Sequence, residues 1–244
     1  MRPIQRGSAP QPNGYANYND AKADLVARLG PYCSYCERPV VTNLAVEHIQ
    51  PKGLAAYANL IGCWSNFLLA CVNCNATKGD KGVVVANIFL PDRDNTFAAF
   101  DYLPDGIIVP SSLVVARGLE TIANDTLSLT GLDKAAQHTP DENGRQVALD
   151  RVSQRKEAWL AANDAKVTLQ RSPGDVTLQG CVVKLAVTTG FFSVWMTVFA
   201  DDPVMLGLFV NAFNGTSGSG CFNAMGGNVV PAPNPDGLPY GGKI

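Results

Sequence analysis

Two Cys-x-x-Cys pairs, Cys33 with Cys36 and Cys71 with Cys74, constrain this chain more than any other feature of its sequence. At that spacing two thiolates from one turn reach the same tetrahedral ion at about 2.3 Å, and two pairs complete a four-sulfur zinc site with no position open to substrate or water. A Zn2+ ion on Cys33, Cys36, Cys71 and Cys74 is therefore expected to be structural, its loss unfolding the unit around it. A redox role fits less well, because that chemistry uses one pair at a helix N-terminus and has no need of a second. Seven cysteines, an odd number, point to metal binding in a reducing compartment rather than to a disulfide framework. Cys63 and Cys181 read as small buried hydrophobes. Cys221 has no assignment.

The pattern around the pairs reads as a small α+β unit. Asn19 or Asp20 caps a helix on which Ala21, Leu25, Val26 and Leu29 recur at helical spacing, and Gly30-Pro31 stops it. Residues 40–49 are β-branched and apolar, a strand or hairpin arm ending at Glu47-His48, with Pro51 preventing extension. A short helix over 54–63, a strand over 66–70 and a helical turn over 75–81 complete a ββα unit across 31–82. An Asp/Asn-rich connector over 91–105 leads to helical patterns at 111–130, 147–170 and 175–190. Two more helices follow, one through 191–196 and one opened by Asp202-Pro203, a cap with proline at the first helical position. From Asn214 onward eight glycines and four prolines read as an extended or disordered tail. The chain thus divides into an N-terminal helical extension (1–30), the ββα unit (31–82), a mainly helical region (83–213) and the tail (214–244), with no internal repeat.

At 244 residues and 46% hydrophobic, the chain can bury a sizeable core. Its net charge of -2 provides no overall basic field for a polyanion, but the charge is uneven. Residues 1–82 carry 8 Lys/Arg against 5 Asp/Glu, and the rest carry 11 against 16, so a nucleic acid should meet the N-terminal third. The N-terminus lacks the apolar core of a secretory signal. The most apolar stretch, 186–200, is broken by Thr188, Thr189, Gly190 and Ser193 and falls short of the roughly 20 apolar residues a membrane helix needs. A soluble, cytoplasmic protein is expected.

Between and beside the cysteine pairs lie Ala45-Val46-Glu47-His48-Ile49-Gln50-Pro51-Lys52, then Trp64-Ser65-Asn66-Phe67-Leu68-Leu69, then Cys74-Asn75-Ala76-Thr77-Lys78-Gly79. This order of acid-His, Asn-apolar-apolar and Cys-Asn-x-x-Lys-Gly resembles the HNH nucleases, also called ββα-metal or His-Me finger nucleases, over about fifty residues. The resemblance implies a phosphodiester hydrolase. His48 would be the general base, a role suited to a neutral imidazole of pKa about 6.5. Asn66 would hold the loop that aims the His48 ring. Glu47 and Asn75 would be the ligands of a second, catalytic ion; both offer oxygen, which suits Mg2+ or Mn2+ and, with one formal charge, implies weak binding. In many members these positions are Asp and His. Lys78 is a candidate phosphate contact, with Lys52 and Lys81 behind it. Adjacent strand residues face opposite sides, so Glu47 and His48 share a site only if the strand ends or kinks there. Trp64 and Phe67 read as core rather than base-stacking residues, and His138 as a solvated side chain.

The chain from Met1-Arg2-Pro3-Ile4 through Pro91-Asp92-Arg93-Asp94-Asn95-Thr96 to Gly190-Phe191-Phe192-Ser193-Val194-Trp195 is similar to the HNH subunit of the Septu anti-phage system and its retron-linked relatives. That resemblance implies an effector nuclease working beside an ATPase partner that senses infection, with DNA ahead of RNA as substrate. The rival reading is a non-catalytic zinc-ribbon adaptor that binds nucleic acid or protein.

Overall fold

A computed structural model describes residues 1–136, 142–143 and 150–244. His138 and the proposed helix start at 147–149 lie outside the described residues. The fold is mixed, with small sheets beneath a mainly helical second half.

The site unit begins with α1 (Ala21–Leu29), whose Ala21, Leu25 and Leu29 are buried and whose end is set by Gly30 at φ 75°. Two short strands follow, β1 (Ala45–His48) and β2 (Phe67–Ala70), and then α2 (Val72–Lys78). The strands are antiparallel, with Glu47 opposite Leu68 and His48 opposite Phe67. All four residues of β2 are buried, as expected of a continuous apolar run packed on both faces. The first strand is shorter than the 40–49 pattern suggests, because the chain bends over 41–43 with Asn43 at positive φ. The segment expected as a helix over 54–63 is a 3-10 helix, Ala55–Leu60.

The connector over 91–105 is buried through its first half. Asp92, Arg93, Asp94, Asn95 and Thr96 are all buried, each polar group satisfied: Asp92 pairs with Arg6 and Arg93, and the Asn95 amide donates to the carbonyls of Cys221 and Val229. A hairpin of β3 (Phe100–Tyr102) and β4 (Ile108–Pro110) follows, turned by Asp105-Gly106, where Gly106 takes φ 84° and the Asp105 side chain accepts from the Ile107 N–H. The expected helix over 111–130 is two, α3 (Ser112–Ala116) and α4 (Glu120–Thr130), separated at Gly118 with φ 68°.

Four further helices form the second half: α5 (Arg151–Gln170), α6 (Val176–Thr189), α7 (Phe192–Val198) and α8 (Pro203–Ala212). Three of the four open on an aspartate, as expected for Asp202, whereas α7 opens on Phe191 at φ 54° with no side-chain cap. Asp150, Asp175 and Asp202 accept from backbone N–H groups at the starts of α5, α6 and α8. α7 is almost wholly buried, and Trp195, Phe199 and Phe209 pack as one aromatic group. Cys181, expected to be buried, is exposed on α6; Cys63 is half-buried. No helix among the described residues is long and apolar enough to cross a membrane.

The tail is neither extended nor disordered. Phe222 packs on Phe97 and Phe192, Ile244 and Cys221 are buried, and the Ile244 carbonyl accepts from the N–H groups of Asn95 and Ala232. Its own apolar content is too low to form a core, but it completes one supplied by α7 and residues 91–100, whose buried amides satisfy its backbone.

Candidate functional site

The four thiols of Cys33, Cys36, Cys71 and Cys74 are buried, and their sulfurs all lie within 4.8 Å of one another. None is in a disulfide, and Cys36 Sγ stands 3.7 Å from Cys71 Sγ, against about 3.8 Å for the sulfur edge of a tetrahedron with 2.3 Å metal–sulfur bonds. The set therefore fits a tetrahedral thiophilic ion. Burial pushes the Cys33 and Cys36 thiols up, while hydrogen bonds from Cys33 and Cys36 hold Cys71 and Cys74 down. Glu37, just after the second cysteine, takes φ 65°, and its carboxylate accepts from the N–H and hydroxyl of Ser193 at the start of α7. From α5, Arg151 donates to Cys74 Sγ at 3.0 Å and to the carbonyls of Thr130 and Gly131. The helical half thus buttresses the cluster with a cation that offsets thiolate charge.

Beside this scaffold runs a groove of about 460 Å3 lined by Tyr18, Glu47, His48, Lys52, Asn75 and Asp80, among others. A larger cleft of about 720 Å3, lined by Arg6, Asn13, Cys63, Trp64 and Asp236, holds none of the candidate residues. His48 is the last residue of β1. Its Nε2 lies 3.0 Å from the carbonyl oxygen of Ile61, which can only accept, so the proton sits on Nε2 and Nδ1 keeps a free lone pair. Burial lowers the imidazole pKa from its usual value; the Ile61 carbonyl opposes this, and the charges of Lys52 and Lys78 add to it. Burial and the two lysines thus favour the uncharged ring.

Asn66 anchors that arrangement. Its Oδ1 accepts from the Gln50 N–H at 2.8 Å, and its Nδ2 donates to the carbonyls of Gln50 at 3.0 Å and Leu60 at 3.3 Å. One amide therefore ties the chain leaving β1 to the residue preceding Ile61, fixing both the imidazole and its acceptor. Trp64 and Phe67 are buried, as expected of core residues, with Phe67 packed edge-on to His48.

Glu47 and His48 line the same groove although they are neighbours on a strand, because β1 ends at His48. The Glu47 carboxylate is buried, and both of its contacts fall on Oε1: Lys78 Nζ at 2.9 Å and the Tyr35 hydroxyl at 3.3 Å. Burial raises its pKa, and Lys78 opposes that shift. The Asn75 side chain lines the same groove as Glu47. Two oxygen donors beside an imidazole suit a hard divalent cation rather than zinc.

The lysines separate. Lys78, expected as a phosphate contact, is 2% exposed, and its ammonium is committed to Glu47 and to the His48 carbonyl at 2.7 Å. It lines the groove as a buried countercharge to Glu47 rather than as an exposed cation, because a buried carboxylate needs a countercharge. Lys52 is exposed on the groove, its ammonium donating to the Tyr18 hydroxyl. Lys81 is exposed but does not line the groove. Sequence reasoning missed Tyr18, Tyr35, Arg151 and the Ile61 carbonyl. Only Tyr35, lying inside the first cysteine pair, had a local signal.

The chain has no match among curated proteins. The family model described as HNH endonuclease matches residues 33–81, which hold both cysteine pairs, Glu47, His48, Asn66, Asn75 and Lys78, so the chain carries an HNH endonuclease domain over about a fifth of its length.

Proposed function

We propose that this protein is a metal-dependent endonuclease that hydrolyses phosphodiester bonds in DNA. One observation carries the reading. The His48 imidazole gives Nε2 to the Ile61 carbonyl, which leaves Nδ1 as the unprotonated nitrogen, and His48 lines a groove shared with Glu47, Asn75 and Lys52. A water oxygen attacks phosphorus as Nδ1 takes the water proton. The bond to the 3′-oxygen breaks, that oxygen gains a proton from solvent, and the new end keeps a 5′-phosphate. General-base help of this kind contributes about 10²–10⁴-fold. Mg2+ or Mn2+ on Glu47 and Asn75 supplies, when bound, charge neutralisation at the phosphate and the leaving oxygen. Asn66 positions the ring. Zn2+ on Cys33, Cys36, Cys71 and Cys74 holds the domain together, and Lys52 and Lys81 are two exposed cations offered to the backbone.

The acidic residues beyond position 83 leave the molecule without a broad basic surface, which supports a role beside a protein partner that helps recruit the substrate. By resemblance that partner is an ATPase sensor and the setting is bacterial anti-phage defence in the cytoplasm. Purified protein incubated with supercoiled plasmid and with total RNA, in millimolar Mg2+ and then with EDTA, tests the reading. EDTA-sensitive nicking of plasmid is expected. Cleavage of RNA alone would replace DNA as the substrate, and cleavage indifferent to EDTA would remove the catalytic ion.

A further inference from the structure

The groove has a wall that the 33–81 match does not contain. Tyr18, in a 3-10 turn (Tyr18–Asp20) ahead of α1, sets its ring 4.8 Å from the His48 imidazole, centroid to centroid, at 77°. Phe67 makes a second near-perpendicular contact at 5.2 Å, so two aromatic rings bound the imidazole. The Tyr18 hydroxyl accepts from Lys52 Nζ, and that ammonium stands 4.1 Å from the Tyr18 ring centroid. A lysine on an open surface ordinarily samples many rotamers, whereas this one is drawn onto a ring and a hydroxyl at the rim of the groove.

The segment bearing Tyr18 is itself tied to the loop that holds His48. The Tyr15 N–H donates to the Gly62 carbonyl at 2.9 Å, one residue from the Ile61 carbonyl on His48. A Cβ at Gly62 would stand 2.4 Å from the Tyr15 carbonyl oxygen, so only glycine permits this approach. Tyr15 also packs on Trp64 and Phe67, and the Asn17 side chain accepts from the Asn19 N–H to cap the turn. The same few residues therefore meet the imidazole through a ring and its anchoring loop through the backbone.

We propose that Tyr18 is a positioning residue of the nuclease site, its ring fixing the His48 imidazole and its hydroxyl holding the Lys52 ammonium where a substrate phosphate oxygen meets it. This rests on the nuclease reading above. It makes the N-terminal segment part of the active groove and not an appendage to it. The chemistry recognised at Lys52 is a single phosphate oxygen, a contact that carries no base information.

The test uses the full chain, a fluorescein-labelled DNA duplex, and the variants Tyr18→Phe, Tyr18→Ala, Lys52→Met and Tyr18→Phe/Lys52→Met, each checked for zinc content and Tm. Lys52→Met should weaken duplex binding about threefold to tenfold and lower the salt slope by about one. Tyr18→Phe should weaken binding by a similar factor and the double variant no further, because one contact is being removed. Tyr18→Ala should in addition lower kcat by about a hundredfold as the imidazole loses its alignment. A readout free of turnover comes from 15N imidazole spectra, which are simple to assign with two histidines in the chain. His48 should show the Nε2–H tautomer in the wild type and a mixture of tautomers in Tyr18→Ala. Unchanged kcat, KM and His48 spectrum in a folded Tyr18→Ala protein overturn the proposal. A wild-type protein that cuts neither DNA nor RNA overturns the nuclease reading and the Lys52 half with it, while the imidazole spectrum still decides whether Tyr18 fixes His48.

Discussion

His48 Nε2 lies 3.0 Å from the carbonyl oxygen of Ile61, a residue thirteen positions along the chain and outside any strand. That contact does what the carboxylate of a catalytic triad does: it selects the tautomer and aims the ring. It differs in placing no charge beside the imidazole. Burial, with Lys52 and Lys78 nearby, keeps the ring neutral.

The pH dependence follows from that shift. A base works only when unprotonated, and the lowered pKa keeps His48 unprotonated below the usual 6.5. The acid limb of kcat/KM should therefore fall below pH 6.5, with activity held from neutrality down to it. Removing a positive charge by Lys52→Met should move the limb toward higher pH. A limb at or above 6.5 in the wild type would show that His48 is not the titrating base.

Asn66→Ala removes three hydrogen bonds that join Gln50 and Leu60. Leaving those backbone groups unpaired costs about 1–3 kcal/mol. Misalignment of the imidazole should lower kcat by about a hundredfold with a smaller change in KM. Steady-state kinetics on folded, zinc-loaded protein checks this, and a loss confined to KM would assign Asn66 to substrate binding instead.

Lys78→Met strands the Glu47 carboxylate in a buried site, a loss of about 3–5 kcal/mol read as a fall in Tm. Combining it with Glu47→Gln should recover part of that loss, since the stranded charge goes too. If Glu47 ligates the divalent ion, Mn2+ should raise the Tm of Lys78→Met more than that of the wild type, the ion standing in for the lost ammonium. Equal shifts would argue that Glu47 serves the packing alone.

Zinc should be recovered at one equivalent per chain by elemental analysis. Cys74→Ser, or a strong chelator, should abolish cooperative unfolding of the domain, because structural zinc sites of this kind contribute about 10–16 kcal/mol to their folded state. Far-ultraviolet circular dichroism and Tm unchanged after complete zinc removal would contradict a scaffold role for Cys33, Cys36, Cys71 and Cys74.

Much of the domain was legible because its signals are local. Fixed cysteine spacing, the strand ending at Glu47-His48, and the Asp202-Pro203 cap each declare themselves within a few residues. Contacts between distant segments had no such signal. Arg151 reaches Cys74 from 77 residues away, and Asn95 holds carbonyls more than 120 positions along the chain. The tail misled for the same reason: its glycines and prolines describe its own lack of a core, not the one it joins through Phe222 and Ile244. Lys78 misled differently. A lysine one turn past Asn75 suits a surface phosphate contact, and only the packed structure sets its ammonium against Glu47. The β3–β4 hairpin was within reach, since Pro104-Asp105-Gly106 is a turn signal between two β-prone runs.

Most directly, the account is tested by cleavage of supercoiled plasmid by the wild-type protein and by His48→Ala at equal zinc content and Tm in millimolar Mg2+. The account predicts EDTA-sensitive nicking by the wild type and a loss of at least about a hundredfold in the variant. Equal cleavage by two equally folded proteins would contradict it.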